Sequence, residues 1–188
     1  MGYSISWIAL QGKSKEEVLA LTSFVDTGVP DEANEASASV ASLPMGWTVL
    51  FFNDYEATPP ELAAAWSKGC RAIACQVEEN VMASNAAFYE DGRHLWTVSH
   101  QSDKDIYDLE VRGTPPEAFQ EIKDRLLEQQ HENDGETADV DHVFGAPLEM
   151  AAALCGYRHD ESSFDWGTPA FTSLAPKRRS LWSRLGLG

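Results

Sequence analysis

The sequence predicts an α+β fold, in which helices pack on a mainly antiparallel sheet within a single domain. Apolar, strand-like runs at residues 71 to 78 and 81 to 89 follow each other directly. The Asp91-Gly92 dipeptide after them is typical of a two-residue hairpin turn. Helix-like segments stand in separate blocks, which favours hairpin-linked strands over a parallel sheet with crossover helices. The length of 188 residues fits one domain.

The N-terminal segment predicts a strand followed by a helix. Residues 3 to 10 alternate in facing and precede a glycine, as a strand before a turn does. Ser14, with Glu17 three residues later, forms a capping-box pattern that begins a helix. Apolar residues at helical spacing predict that this helix continues to residues 26 to 28. Residues 30 to 39 are small and polar, so we expect a loop.

The middle of the chain predicts further elements of both kinds. Residues 47 to 52 are apolar and rich in aromatic side chains, as in a strand. Pro59 and Pro60 begin a helix where a missing N–H costs nothing, and Gly69 ends it. The remaining predicted elements are a strand at residues 106 to 112, a helix at 114 to 130 and a helix at 147 to 154.

The predicted hairpin defines one candidate site. A two-residue turn pairs Tyr89 with His94, and strict alternation then places Asn85, Trp96 and His100 on the same face. This face is the alternative site, for a small-molecule-binding or hydrolytic enzyme. The simpler interpretation makes Trp96 a core residue with the two histidines at its rims. Those histidines lie about 20 Å apart along the strand, too far for one metal ion.

Charge indicates the preferred kind of partner. The chain has 14 basic and 30 acidic residues, a formal net charge of −16. Residues 1 to 176 hold ten of the bases and all of the acids, and the other bases are Lys177, Arg178, Arg179 and Arg184. This acidic part of the chain, residues 1 to 176, repels phosphate backbones and anionic lipid over a Debye length of about 8 Å. Nucleic-acid and membrane partners are therefore not expected, and a basic protein is favoured.

Acidic residues cluster at the ends of apolar strands and in one turn-rich segment. The predicted binding residues are Glu132, Asp134, Glu136, Glu78, Glu79, Asp54 and Glu56. We expect a non-enzymatic binding protein, regulatory or immunity-like, that recognises a cationic protein. No catalytic residue is assigned, and the oligomeric state stays open. Residues 1 to 167 are expected to form the domain, and residues 168 to 188 a basic, partly disordered tail.

No cofactor or metal site is expected. Residues 11 to 14 end in Gly-Lys-Ser but lack the earlier glycine of a phosphate-binding loop, and residues 134 to 141 lack the calcium-loop order. The odd number of cysteines, Cys70, Cys75 and Cys155, predicts reduced and buried thiols. The first residues have no signal-peptide pattern, and no apolar run is long enough for a membrane span. We therefore expect a cytoplasmic protein.

Two segments, WIALQGKSKEEVLAL and DGRHLWTVSH, resemble bacterial single-domain proteins of unknown function. The resemblance covers about the first 155 residues and implies a bacterial α+β domain, with no activity and no functional residue. In size and charge the chain is also similar to immunity proteins that neutralise basic toxins, which is an analogy of bulk properties alone.

Overall fold

The computed structural model describes residues 2 to 133 and 140 to 177. These residues form one open antiparallel sheet of nine strands with four α-helices. The elements are β1 Ser4–Gln11, α1 Lys15–Ala20, β2 Phe24–Pro30, β3 Ala38–Ser42, β4 Trp47–Phe52, α2 Pro60–Trp66, β5 Arg71–Glu78, β6 Ala83–Glu90, β7 Arg93–Gln101, β8 Glu110–Gly113, α3 Ala118–Asn133, α4 Gly145–Cys155 and β9 Thr172–Pro176. The predicted antiparallel sheet with accompanying helices is confirmed.

The sheet is buried on both faces at its centre. Its spatial order is β2-β9-β3-β4-β1-β5-β6-β7-β8. In β1, Trp7 contributes to a core shared with Leu148 of α4, whereas the next residue, Ile8, contributes to a core shared with Val18 of α1 and Ala63 of α2. We call these two sides the α3/α4 face and the α1/α2 face. This double burial explains why the central strands are apolar without a polar side.

Two strands in the first third of the chain were missed by the sequence analysis. The helix expected to reach residues 26 to 28 ends at Ala20, and Phe24–Pro30 is strand β2. The loop expected over residues 30 to 39 is shorter than predicted, because Ala38–Ser42 forms β3 beside β4. Backbone pairing makes both segments strands: β2 pairs with β9, far along the chain, and β3 pairs with β4, the next strand in the chain. That pairing overrides a weak local preference.

The segment assigned to a tail begins inside the sheet. Thr172–Pro176 forms β9, which pairs with β2 on one side and with β3 on the other. Its place is fixed by backbone hydrogen bonds to two neighbours, which its composition does not reveal. Residues 178 to 188, with most of the bases of the predicted tail, lie outside the described residues. None of the helices in the described part of the chain is long and apolar enough to cross a membrane.

The hairpin of β6 and β7 has the predicted turn but a different register. Asp91 and Gly92 both have positive φ, 50° and 78°, as a type I′ turn requires. Tyr89 pairs with His94 as predicted, but the next pair is Phe88 with Trp96, so Leu95 is an extra residue on β7.

This β-bulge shifts every later residue of β7 by one position. Trp96 and His100 therefore turn to the α3/α4 face, whereas Tyr89 belongs to the core of the α1/α2 face and His94 packs edge-on against it. The predicted shared face of these residues is wrong. The alternation of β7 contains no break that would have signalled the bulge.

Gly113 of β8 passes closest to the bulge. Its φ is +75°, and a Cβ there would lie 2.0 Å from the Leu95 carbonyl oxygen. Gly92 has a similar φ of +78°, but its nearest neighbour would lie at an ordinary 3.4 Å. The two glycines therefore share a backbone requirement and differ in packing.

Replacing each glycine with alanine separates these two effects. Gly92→Ala should lower the free energy of unfolding by about 1 kcal/mol, the cost of an L residue at positive φ. Gly113→Ala should cost about 2–4 kcal/mol, because the backbone clash adds to that strain. Urea unfolding of both variants measures the difference, and equal losses would contradict the close approach of β7 and β8.

Candidate functional site

Acidic residues from distant parts of the chain meet at one end of the sheet. β1 begins at this end, and β4 and β5 finish there, since Ser6 pairs with Phe52 and Ser4 with Glu78. Four predicted binding residues lie at these strand ends or within four residues after them. They define what we call the acidic end: Asp54, Glu56, Glu78 and Glu79. The antiparallel topology thus joins two clusters that are separate in sequence.

Hydrogen bonds hold two of these carboxylates in place. The Ser4 hydroxyl donates to Glu78 at 2.5 Å, and the backbone N–H of Tyr3 donates to Glu79 at 2.8 Å. Asn80 also donates to Glu78 through its side-chain amide. The bonds from Ser4 and Asn80 lower the pKa of Glu78. Glu78 therefore presents a fixed negative charge at neutral pH.

Tyr55 lies among these acids and was not singled out from the sequence. Burial raises the pKa of its hydroxyl, and the charges of Glu78 and Glu56 raise it further. The Gln76 side chain donates to the Tyr55 carbonyl at 3.0 Å, and the Glu56 N–H donates to the Asp54 carboxylate at 2.9 Å. The end of β4 is therefore ordered, with a neutral phenol beside carboxylates.

The acidic end continues along the sheet to β7 and β8. Their connection contains Asp103, Asp105 and Asp108. The hydroxyl of Tyr107 in this loop lies 3.0 Å from Nδ1 of His131, in the last turn of α3. Glu132 in that turn is exposed, as expected for a binding residue. The other two predicted acids of this segment, Asp134 and Glu136, lie outside the described residues.

The opposite end of the sheet carries both bases and acids, the acids including Glu90 and Asp91. β1 finishes there and β5 and β7 begin there. The bases that follow or precede these strand ends are Lys13, Lys68, Arg71 and Arg93. Arg71 forms an ion pair of 2.8 Å with Glu90 across β5 and β6. Charges of both signs are therefore mixed at this end, whereas the four carboxylates stand together at the acidic end, a difference that the net charge alone does not indicate.

His100 forms a buried ion pair with Asp141 behind the acidic end. The His100 side chain is fully buried, with Nδ1 2.6 Å from the Asp108 carbonyl oxygen and Nε2 2.8 Å from the Asp141 carboxylate. Both partners are acceptors, so both ring nitrogens carry protons. Burial alone lowers the pKa of His100, but the bonds to Asp141 and Asp108 raise it overall.

This pair is structural in character. With both nitrogens donating to protein acceptors, the His100 ring has no free lone pair with which to take a proton from a substrate. The bonds connect β7 to the loop after it and to the segment before α4. In that segment the Asp141 carboxylate also accepts from the Phe144 N–H at 3.0 Å. The chain segments around the acidic end are therefore held to the sheet.

The residues of the alternative site do not form one constellation. Trp96 stacks on Phe88 with ring centroids 5.7 Å apart, and its side chain is part of the core on the α3/α4 face. Tyr89 is 3% exposed in the other core. His94, near it, has Nε2 2.7 Å from the Thr97 hydroxyl oxygen. Asn85, an even number of positions before Tyr89 on β6, faces the Tyr89 side of the sheet, away from His100.

The structure also bears on the remaining sequence motifs. Ser14 accepts a hydrogen bond from the Glu17 N–H, and Glu17 accepts one from the Ser14 N–H, so the predicted capping box is confirmed. The three cysteines are free, with Cys75 and Cys155 buried and Cys70 half-buried. Burial raises the pKa of Cys155 to about 12. Within residues 2 to 133 and 140 to 177, no group of His, Cys, Asp and Glu residues could hold a metal ion.

His159 is a second buried histidine, which differs from His100 in the charge of its ring. The sequence did not single it out. Its side chain is 1% exposed, and neither ring nitrogen has a hydrogen-bond partner among the described residues. Tyr3 packs edge-on against it, with ring centroids 5.2 Å apart. Burial lowers the pKa of His159 despite the nearby charge of Asp160. The ring is therefore neutral at physiological pH.

Comparison with protein-family models, with curated proteins and with solved structures gives no match. The resemblance to bacterial proteins of unknown function therefore stays an expectation from the sequence, and the site rests on its own geometry.

The His100–Asp141 pair predicts a pH-dependent stability. Replacing His100 with Gln leaves the buried Asp141 carboxylate without its cation and should cost about 3 kcal/mol of unfolding free energy at pH 5. Since the folded pKa of His100 is raised above its ordinary 6.5, this stabilisation is complete below pH 6.5 and is lost as pH rises through the folded value.

Urea unfolding of the wild-type protein and of His100→Gln at several pH values tests this. The difference between them should shrink at alkaline pH. It should also shrink in strong acid, because the pKa of Asp141 is lowered and its contribution is lost as pH falls through that value. A difference that does not change with pH would show that the ring is not charged.

His159 predicts the opposite pH dependence. Its folded pKa is lowered, so its contribution to stability is present above pH 6.5 and is lost as pH falls through the folded value. His159→Phe keeps an aromatic ring against Tyr3 and removes the unpaired nitrogens, so it should be stabilising by about 1 kcal/mol at pH 5. Thermal unfolding at pH 5 and pH 8 measures this, with the polar His159→Gln as the control. Equal stability of His159→Phe and the wild type at pH 5 would contradict the buried neutral ring.

Proposed function

We propose that the protein binds a basic protein partner through the acidic end of its sheet. The observation that supports this most is the meeting of Asp54, Glu56, Glu78 and Glu79 at one end, whereas the other end carries both bases and acids. An asymmetric charge distribution steers and orients an oppositely charged partner during encounter. The function is therefore recognition, without chemistry on the partner.

The acids of this end suit recognition because two of them are held in place by hydrogen bonds. Glu78 and Glu79 are oriented by Ser4 and Tyr3, so less side-chain freedom is lost when a Lys or Arg of the partner binds them. The loop after β7 and the last turn of α3 extend the same surface with exposed acids. Arg side chains on a partner can meet such carboxylates in bidentate pairs.

The first test is capture of partners from a lysate of the source organism at low and at high salt. We expect a captured protein with an isoelectric point above about 9. Its association rate with the purified chain should fall at least about tenfold between roughly 50 and 500 mM salt, because exposed charges are screened. An acidic partner, or binding that does not depend on salt, would contradict the proposal.

Charge-neutralising variants locate the surface. The test variant combines Glu56→Gln, Glu78→Gln and Glu132→Gln, where glutamine keeps an oxygen to accept from Ser4. The control removes the same charge far from the acidic end, with Glu16→Gln, Glu117→Gln and Glu121→Gln. The test variant should slow association about tenfold at low salt and the control at most about twofold. Equal effects would indicate a response to net charge alone.

A further inference from the structure

An apolar groove of about 560 Å³ opens on the α1/α2 face, next to the acidic end. Its walls come from the end of α1, the start of β2, the end of β4 and helix α2. The apolar lining includes Leu21, Phe24, Phe52, Leu62 and Trp66. Leu21 is 40% exposed. Asp54 of the acidic end lies on the polar side of the same groove.

The described chain ends at the wall of this groove. The Lys177 N–H donates to the Ser23 carbonyl at 2.7 Å, and its ammonium donates to the carbonyls of Leu19 and Thr22 at 3.1 and 2.7 Å. Thr22 and Ser23 themselves line the groove. The residues after Lys177 therefore start beside the groove.

The sequence after Lys177 has the composition that such a groove would bind. Residues 178 to 188 read RRSLWSRLGLG, with no acid. Their apolar members include Leu181 and Trp182. Five extended residues span at most about 18 Å, which is the reach of Trp182 from Lys177. The bases at positions 178, 179 and 184 are opposite in charge to Asp54 and to Glu56 and Glu61 close by in the chain.

We propose that residues 178 to 188 of the same chain dock in this groove, with Trp182 on its apolar lining and the arginines facing the carboxylates at its edge. Burying an indole and a leucine side chain removes apolar surface of both groove and segment from water. A short tether gives an effective concentration in the millimolar range, so even a weak intrinsic affinity suffices for docking. This contact needs no partner to form, although it uses Asp54 and Glu56 of the surface proposed for the basic partner.

Photo-crosslinking of the full chain tests the proposal directly. Trp182 is replaced with p-benzoylphenylalanine, the purified protein is irradiated, and mass spectrometry maps the products. Crosslinks within one molecule to Leu62, Trp66 or another groove residue are expected. Crosslinks between two molecules, crosslinks only to other surfaces, or none at all would overturn the proposal.

Two matched variants confirm that the groove is responsible. Leu21→Arg adds a positive charge in the groove, and Val81→Arg adds the same charge at a site that is 55% exposed and outside it. Leu21→Arg should lower the yield of groove crosslinks at least about fivefold by weakening a tethered contact, and Val81→Arg should leave it unchanged. Equal yields in the two variants would overturn the proposal. Because the experiment contains no partner, its failure is distinct from failure of the proposed function.

Discussion

The fold depends on the burial of both faces of one sheet. Along β1, every residue from Ile5 to Leu10 is buried, alternately in the core under α3 and α4 and in the core under α1 and α2. An antiparallel sheet usually keeps one face in water. Here each face needs its own helices, and the chain supplies α1 and α2 from its first half and α3 and α4 from its second.

This burial decides where recognition can occur. Side chains in the middle of the central strands are committed to packing, so polar chemistry is confined to the strand ends. The chain leaves the two cores at Asp54 and Glu78, so these positions can carry polar side chains. The antiparallel order then collects the ends of β4 and β5 and the start of β1 on one side. A function based on charge is a natural use of such an end, because loops carry binding residues over a rigid scaffold.

The two buried histidines show how local surroundings set charge in one protein. Both ring nitrogens of His100 face acceptors and the ring is protonated, whereas the ring nitrogens of His159 have no hydrogen-bond partner among the described residues and the ring is neutral. Burial lowers the pKa of the ring at both sites. At His100 the hydrogen bonds to Asp141 and Asp108 outweigh burial and raise the pKa. Their contributions to stability therefore change with pH in opposite directions.

The sequence by itself determined the antiparallel class, the capping box at Ser14 and the Asp91-Gly92 turn. These features follow from local backbone chemistry, which a short segment carries in full. The sequence also determined the two acidic clusters around Asp54 and Glu78, but not that they meet.

Only the tertiary structure decided the remaining features. Because of the bulge at Leu95, Trp96 and His100 lie on the α3/α4 face. The segment Thr172–Pro176 forms strand β9 because its backbone pairs with β2 and β3, which are distant in the chain. The charge of His100 depends on Asp141, which is 41 residues away in the chain. The pairing of β9 and the charge of His100 rest on contacts between segments far apart in sequence, about which a local pattern carries no information. The bulge lies within one hairpin, but the alternation of residue types along β7 contains no break that marks it.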